Sequence, residues 1–124
     1  MSSIRIDQIR PMPGWALCRM KPPTTQTSSG LHIGRDVEDG KVSEGVCQVL
    51  AVSWEVLDNG EEVDPGFVVG DYLLIREFLK NANSVGDLVG EKRNRVFLMN
   101  NKDAMAVLPP GTGLRIGHYG EYEL

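Results

Sequence analysis

The chain is poor in the groups from which catalytic, metal and nucleic-acid sites are built. It has two cysteines and two histidines in 124 residues. Cys18 and Cys47 stand far apart and neither belongs to a C-x-x-C pair, so a zinc site or redox dithiol has no support. Set among apolar neighbours, each reads as a buried reduced thiol. His32 and His118 have no candidate ligand partners nearby in the sequence, and no Ser, His and Asp set suggests hydrolysis. No metal, no cofactor and no enzymatic activity are expected. Positive charge is in short supply too: 13 Lys and Arg face 17 Asp and Glu, a net charge of -4. The only tight basic group, Lys92-Arg93-Asn94-Arg95, reads as a solvated turn. With aromatic residues at 6% there is also little on which bases could stack, so no nucleic-acid partner is expected. A run of 18 apolar residues is missing, and Met1-Ser2-Ser3-Ile4-Arg5-Ile6-Asp7 lacks the apolar centre of a secretory signal. The expectation is a soluble, cytoplasmic protein with no membrane partner.

Two nucleotide signatures fail as well. No G-x-G-x-x-G run occurs. Pro109-Pro110-Gly111-Thr112-Gly113 echoes part of a phosphate-binding loop, but Leu114-Arg115 stands where Gly-Lys-Ser/Thr is required.

What the chain does have is a series of short apolar runs cut by Gly and Pro, at a length that suits one domain. Ile4-Arg5-Ile6 alternates as a strand edge would, and Pro11 and Pro13 then mark a turn or exposed edge, because proline lacks the donor that a central strand needs. Trp15 to Lys21 reads as a strand that is apolar on both faces, ended by Pro22-Pro23. Gly45 to Val52, rich in β-branched residues, is a second strand. Val56 to Val63 centres on Asn59-Gly60, a strong hairpin signal, with Asp58, Glu61, Glu62 and Asp64 making an acidic tip. Val69-Gly70-Asp71 reads as a tight turn into a strand at Tyr72 to Ile75. Further strands are expected at Leu88-Val89, Arg95 to Met99 and Ala104 to Leu108, the last preceded by one helical turn capped within Asn100 to Asp103. Tyr119, Tyr122 and Leu124 are expected to pack on a neighbour or to lie loose. With amphipathic helical periodicity missing, the fold class is all-β, a small barrel.

One segment does not fit a core. From Pro22 to Glu44 the chain is polar, with two prolines, three glycines and few large apolar side chains, too little apolar surface to offset the ordering of its backbone. It is expected to be mobile. Within it, Ser28-Ser29-Gly30-Leu31-His32-Ile33-Gly34 carries a short apolar tripeptide. That tripeptide is either a bait on a tether or part of an ordinary insertion that folds back on the frame.

In their order, these pieces resemble the GroES-type co-chaperonins, the 10 kDa chaperonin family that caps GroEL-type chaperonins. Ile9-Arg10-Pro11 is similar to the family's opening Ile-Arg-Pro, and Val49-Leu50-Ala51-Val52 closes the strand after the loop at a similar spacing. Leu57-Asp58-Asn59-Gly60-Glu61 resembles its Leu-Glu-Asn-Gly roof hairpin, and Val68-Val69-Gly70-Asp71 its Val-Gly-Asp turn. Val96 to Met99 and Asp103 to Val107 look like its closing strands. The resemblance implies a GroES-like β-barrel at residues 9–108, with a mobile loop at 22–44, a roof hairpin at 54–64 and extensions at 1–8 and 109–124. It also implies a homo-oligomer, a seven-membered ring that exchanges terminal strands between neighbours. The partner implied is a GroEL-type chaperonin, contacted through Gly30, Leu31, His32 and Ile33, with the ATP chemistry on the partner's side. Asp58, Asn59, Gly60 and Glu61 form the implied roof. The chain departs from the pattern at His32, where the family usually has an aliphatic residue, and His32 either tunes affinity or faces solvent. Such divergence suits a dedicated or virus-encoded lid acting in a host cytoplasm. Two other classes stay open: a small β-barrel that binds peptide or nucleic acid, and a GroES-like domain related to zinc dehydrogenases but without their metal ligands.

Overall fold

The structure is a computed structural model that describes residues 4–22, 45–75, 83–91, 95–116 and 120–124. Its strands are β1 (Trp15–Met20), β2 (Val46–Val52), β3 (Glu55–Val56), β4 (Glu62–Val63), β5 (Tyr72–Ile75), β6 (Asn83–Ser84), β7 (Val96–Asn100), β8 (Ala104–Leu108), β9 (Leu114–Ile116) and β10 (Gly120–Tyr122). Among the described residues the only helical pieces are short 3-10 turns, so the all-β reading of the sequence holds.

Six strands form one antiparallel sheet in the order β6-β7-β1-β2-β5-β8. β1 sits near its middle because Trp15 to Met20 offers side chains for both faces, the burden of a central strand. Alternate residues Ala16, Cys18 and Met20 join Cys47, Val49, Leu73, Ile75, Phe97, Met99 and Phe67 in the main core. By register the opposite face carries Leu17, Val46 and Val96, which are also fully buried. Cys18 and Cys47 are free thiols, both buried, on adjacent strands.

Two irregularities shape the sheet. Leu17 pairs with Ala51 but Cys18 with Val49, which leaves Leu50 as an extra residue on β2. Leu74 pairs with Ala106 but Ile75 with Ala104, which leaves Met105 extra on β8. Each such bulge raises the local twist and bends its strand, which favours curvature of the sheet about the core.

Three expectations are corrected. Ile4 to Ile6 is not a strand edge: Ile6–Gln8 is a 3-10 turn, in which the Gln8 side chain accepts from the Arg5 backbone N–H at 2.7 Å. Local capping outweighs three residues of alternation. Leu88-Val89 is likewise a 3-10 turn spanning Gly86–Val89, ended by Gly90 at φ 74°, and the strand that joins β7 is Asn83–Ser84 instead. Finally, the loose alternative fails at Tyr122: Leu114–Ile116 and Gly120–Tyr122 pair as the β9–β10 hairpin, Gly111 and Leu124 exchange backbone hydrogen bonds at 3.0 and 2.7 Å, and Tyr122 is fully buried. Tyr119 lies outside the described residues.

Candidate functional site

The two features singled out by sequence leave the frame at opposite ends of the β1–β2 pair. At one end Met20 pairs with Cys47, and the Lys21 N–H donates to the Val46 carbonyl at 3.0 Å. Neighbouring strands reinforce this end, since Met20 N–H donates to Arg95 O at 2.8 Å and Ile75 N–H to Gly45 O at 2.8 Å. The 22–44 segment therefore starts and finishes at one fixed spot on the sheet. Its own candidate contact residues, Gly30, Leu31, His32 and Ile33, lie outside the described residues.

At the other end Ala16 pairs with Val52, and the next residue, Ser53, ties three connections together. Its carbonyl accepts from the Gly14 N–H (3.1 Å) and the Asn101 side-chain amide (2.9 Å). Its own N–H donates to Trp15 O (3.0 Å), and its hydroxyl donates to Pro11 O (2.7 Å). Gly14 N–H reaches Ser53 only because the backbone there turns through φ 88°, which is why a glycine stands before β1.

From this knot the β3–β4 hairpin projects, pairing Glu55 with Val63 and Val56 with Glu62. Its tip is where Asp58, Asn59, Gly60 and Glu61 were expected, all exposed. The turn is built differently from a two-residue Asn-Gly turn. Gly60 N–H donates to Leu57 O and Leu57 N–H to Glu61 O, both at 2.8 Å, with Gly60 at φ 89°. The Asn59 side chain accepts from Glu61 N–H at 2.9 Å, so Asn59 holds the turn through its amide. Asp58, Glu61 and Glu62 remain exposed, whereas the Asp64 carboxylate is engaged by the Gly66 N–H at 2.8 Å.

Sequence reasoning dwelt on the acidic tip and missed the apolar surface beside it. Trp54, Val56, Leu57 and Val63 are all substantially exposed on or next to the hairpin, and Val68 and Val69 stand at 64% and 59% exposure in the turn before β5. The signal was available, as Val68-Val69 sits directly before Gly70-Asp71 with nothing to alternate against. That turn closes as expected, with Asp71 N–H donating to Val68 O and the Asp71 carboxylate accepting from Val68 N–H, 3.1 and 3.0 Å.

Among the described residues no three His, Cys, Asp or Glu side chains lie together as metal ligands would. No described helix is long and apolar enough to cross a membrane. Among the described residues one titratable group is strongly perturbed: the Cys47 thiol is pushed well above the usual range by a hydrogen bond with Cys18, by burial and by the Cys18 charge, which makes it a poorer nucleophile.

Two comparisons bear on identity. A family model described as the chaperonin 10 Kd subunit matches residues 8–108. A search of curated proteins finds no match to the chain.

Proposed function

This chain belongs to the chaperonin 10 Kd subunit family, whose members are non-enzymatic co-chaperonins of GroEL-type chaperonins, and from that premise we propose that it serves as a ring-shaped lid. In this reading the ring is a heptamer in the cytoplasm, and it closes a folding chamber in a cycle driven by the chaperonin's ATP chemistry. Gly30, Leu31, His32 and Ile33 are the contact residues, and Leu31 and Ile33 are the anchors that enter an apolar groove on the partner. The observation that carries the reading is the clamped base of the 22–44 segment. Lys21 bonded to Val46 gives a long polar stretch both of its ends at one place on a stiff sheet, the arrangement that a tethered contact needs.

The energetics then require many copies. Burying Leu31 or Ile33 contributes about 1.5 to 3 kcal/mol each. Ordering the residues around them costs about 1 to 2 kcal/mol apiece. A single contact is therefore near break-even. Presenting several on one ring raises avidity by about 10² to 10⁴ with no new contact, and leaves each copy easy to release. The hairpin tip, Asp58 to Glu61, forms the roof around the ring axis in this arrangement.

Capture on an immobilised GroEL-type chaperonin, with and without ATP, tests the proposal alongside light-scattering mass. Leu31→Asp is expected to abolish capture while the ring mass stays unchanged, and deletion of Asp58 to Glu61 is expected to leave capture intact. A wild-type monomer, or Leu31→Asp captured as well as the parent, refutes it.

A further inference from the structure

A pocket of about 310 Å³ opens beside the clamped base of the 22–44 segment, on the face of the sheet away from the main core. Its floor is a row set by register: Arg19 on β1 is opposite Gln48 on β2, which is opposite Tyr72 on β5. Two further cations line it, Lys21 just past the end of β1 and Arg95 at the start of β7. Among the described residues the only acid in the lining is Glu91, which is ion-paired with Arg19. Three cations against one carboxylate among those residues leave two positive charges in a concave site, on a chain whose net charge is -4.

The surplus belongs to Lys21 and Arg95. Neither has an acidic partner among the described residues. The Lys21 ammonium lies 6.0 Å from the centre of the Tyr72 ring, the outer limit of a useful cation–π contact. Both side chains belong to half-buried residues, so their charges are partly removed from water without an opposite charge to offset it. The Gln48 amide NH2 donates to the Gly70 carbonyl at 3.4 Å, and Lys21, Arg95 and the Tyr72 hydroxyl are the further donors that the lining residues offer.

We propose that this pocket binds the phosphate group of a small phosphorylated molecule. A phosphate monoester carries about -1.5 to -2 charge at pH 7 and three acceptor oxygens, which matches a surplus of two cations. The Arg95 guanidinium supplies a planar fork for two of those oxygens, and Lys21 a mobile point charge for the third. The Arg19–Glu91 pair walls the site and keeps Arg19 from collapsing onto the phosphate. The volume is at the lower end of small-ligand sites, room for a phosphoryl group with a compact organic part. The proposal concerns the isolated protein and does not depend on its acting as a lid.

Phenyl phosphate is the probe, titrated calorimetrically into the full-length protein, with benzoate as its singly charged carboxylate counterpart and inorganic phosphate as the bare group. Saturable binding of phenyl phosphate is expected, weakened by rising salt and weakened about tenfold or more by Arg95→Gln and by Lys21→Gln. Arg95→Lys keeps the charge but loses the fork and is expected to fall between. Arg10→Gln removes an exposed cation elsewhere and is expected to change nothing. Binding of inorganic phosphate as tight as that of phenyl phosphate assigns the affinity to the phosphate alone, and tighter phenyl phosphate adds a contribution from the organic part; both support the site. Absence of saturation by ~10 mM, benzoate bound as well as phenyl phosphate, or equal weakening by Arg10→Gln overturns it.

Discussion

Tyr122 is the residue whose removal most directly tests whether the C-terminal hairpin is part of the folded unit. It lies beyond the stretch matched by the family model, on β10, and its side chain is fully buried. Truncating a buried aromatic side chain to Ala costs about 3–5 kcal/mol, combining lost transfer energy with the cavity left behind. A domain of this kind is stable by only about 5–15 kcal/mol, so Tyr122→Ala should remove about a fifth or more of the total. With a urea m-value of about 2 kcal/mol/M, the unfolding midpoint should fall by about 2 M. The measurement needs a fixed protein concentration, because any self-association adds a mass-action contribution to apparent stability. Glu123→Ala, one residue on and exposed, should stay within about 0.5 kcal/mol of the parent. Removal of residues 109–124 should cost at least as much as Tyr122→Ala, since the reciprocal Gly111–Leu124 hydrogen bonds go as well. If Tyr122→Ala and the truncated chain both unfold with the parent, the hairpin contributes nothing and the burial argument fails.

Two other outcomes follow from the described residues. Gly60→Val forces a β-branched side chain to φ 89°, a strain of about 1–3 kcal/mol, and should raise hydrogen exchange at the hairpin amides of Leu57 and Gly60 while leaving β1 and β2 protected. The raised Cys47 thiol predicts a pH dependence of stability: below about pH 8.5 both folded and unfolded thiols hold their proton, and above it the unfolded chain ionises first. Stability should then fall by up to about 1.4 kcal/mol per pH unit until the folded thiol ionises too. Cys47→Ala should flatten that decline in urea titrations run from neutral to alkaline pH, and an unchanged slope would contradict the assignment.

Much of the frame was legible in the sequence, and the reasons differ by element. β1, β2, β5, β7 and β8 were found because each is an apolar or β-branched run bounded by Gly, Pro or Asn, which is conspicuous even in β8, where no residue is fully buried. The Asn100 turn was found from its chemistry, and the Asn100 side chain indeed accepts from the Lys102 N–H at 3.0 Å. The misses share a cause: they rest on two or three residues, where a single side-chain bond or a flanking glycine outweighs periodicity. Gln8 turns Ile6–Gln8, and Gly86 and Gly90 bracket the turn that contains Leu88. β9 was within reach, because Leu114-Arg115-Ile116 alternates and Glu121 lies opposite Arg115, 3.9 Å away. The Arg19, Gln48 and Tyr72 row was not. It depends on the register between β1 and β2, and the extra residue Leu50 shifts that register in a way no local pattern announces. The Asn59-Gly60 hairpin forms where its turn chemistry put it, between β3 and β4, and the expected contact residues Gly30 to Ile33 lie outside the described residues.

The base of the 22–44 segment and the base of the β3–β4 hairpin sit at opposite ends of the β1–β2 pair, so one can be perturbed without disturbing the other. From Ala16, paired with Val52 at the hairpin end, to Met20, paired with Cys47 at the loop end, the strand climbs about 13 Å at 3.3 Å per residue. Sites more than about 7–10 Å apart with no shared partner respond independently to substitution. The two ends share none of their fixing bonds: Ser53, Gly14 and Asn101 hold the hairpin base, while Lys21, Val46, Gly45 and Arg95 hold the loop base. Between them stand Leu17 and Cys18, both fully buried and paired on both sides to β2 and β7, so the strand can neither slide nor tilt without breaking a core ladder. Load applied at the loop base is therefore carried by the sheet rather than by the hairpin. In the ring proposed above, the same separation would let each subunit release its proposed contact while the hairpin keeps its shape.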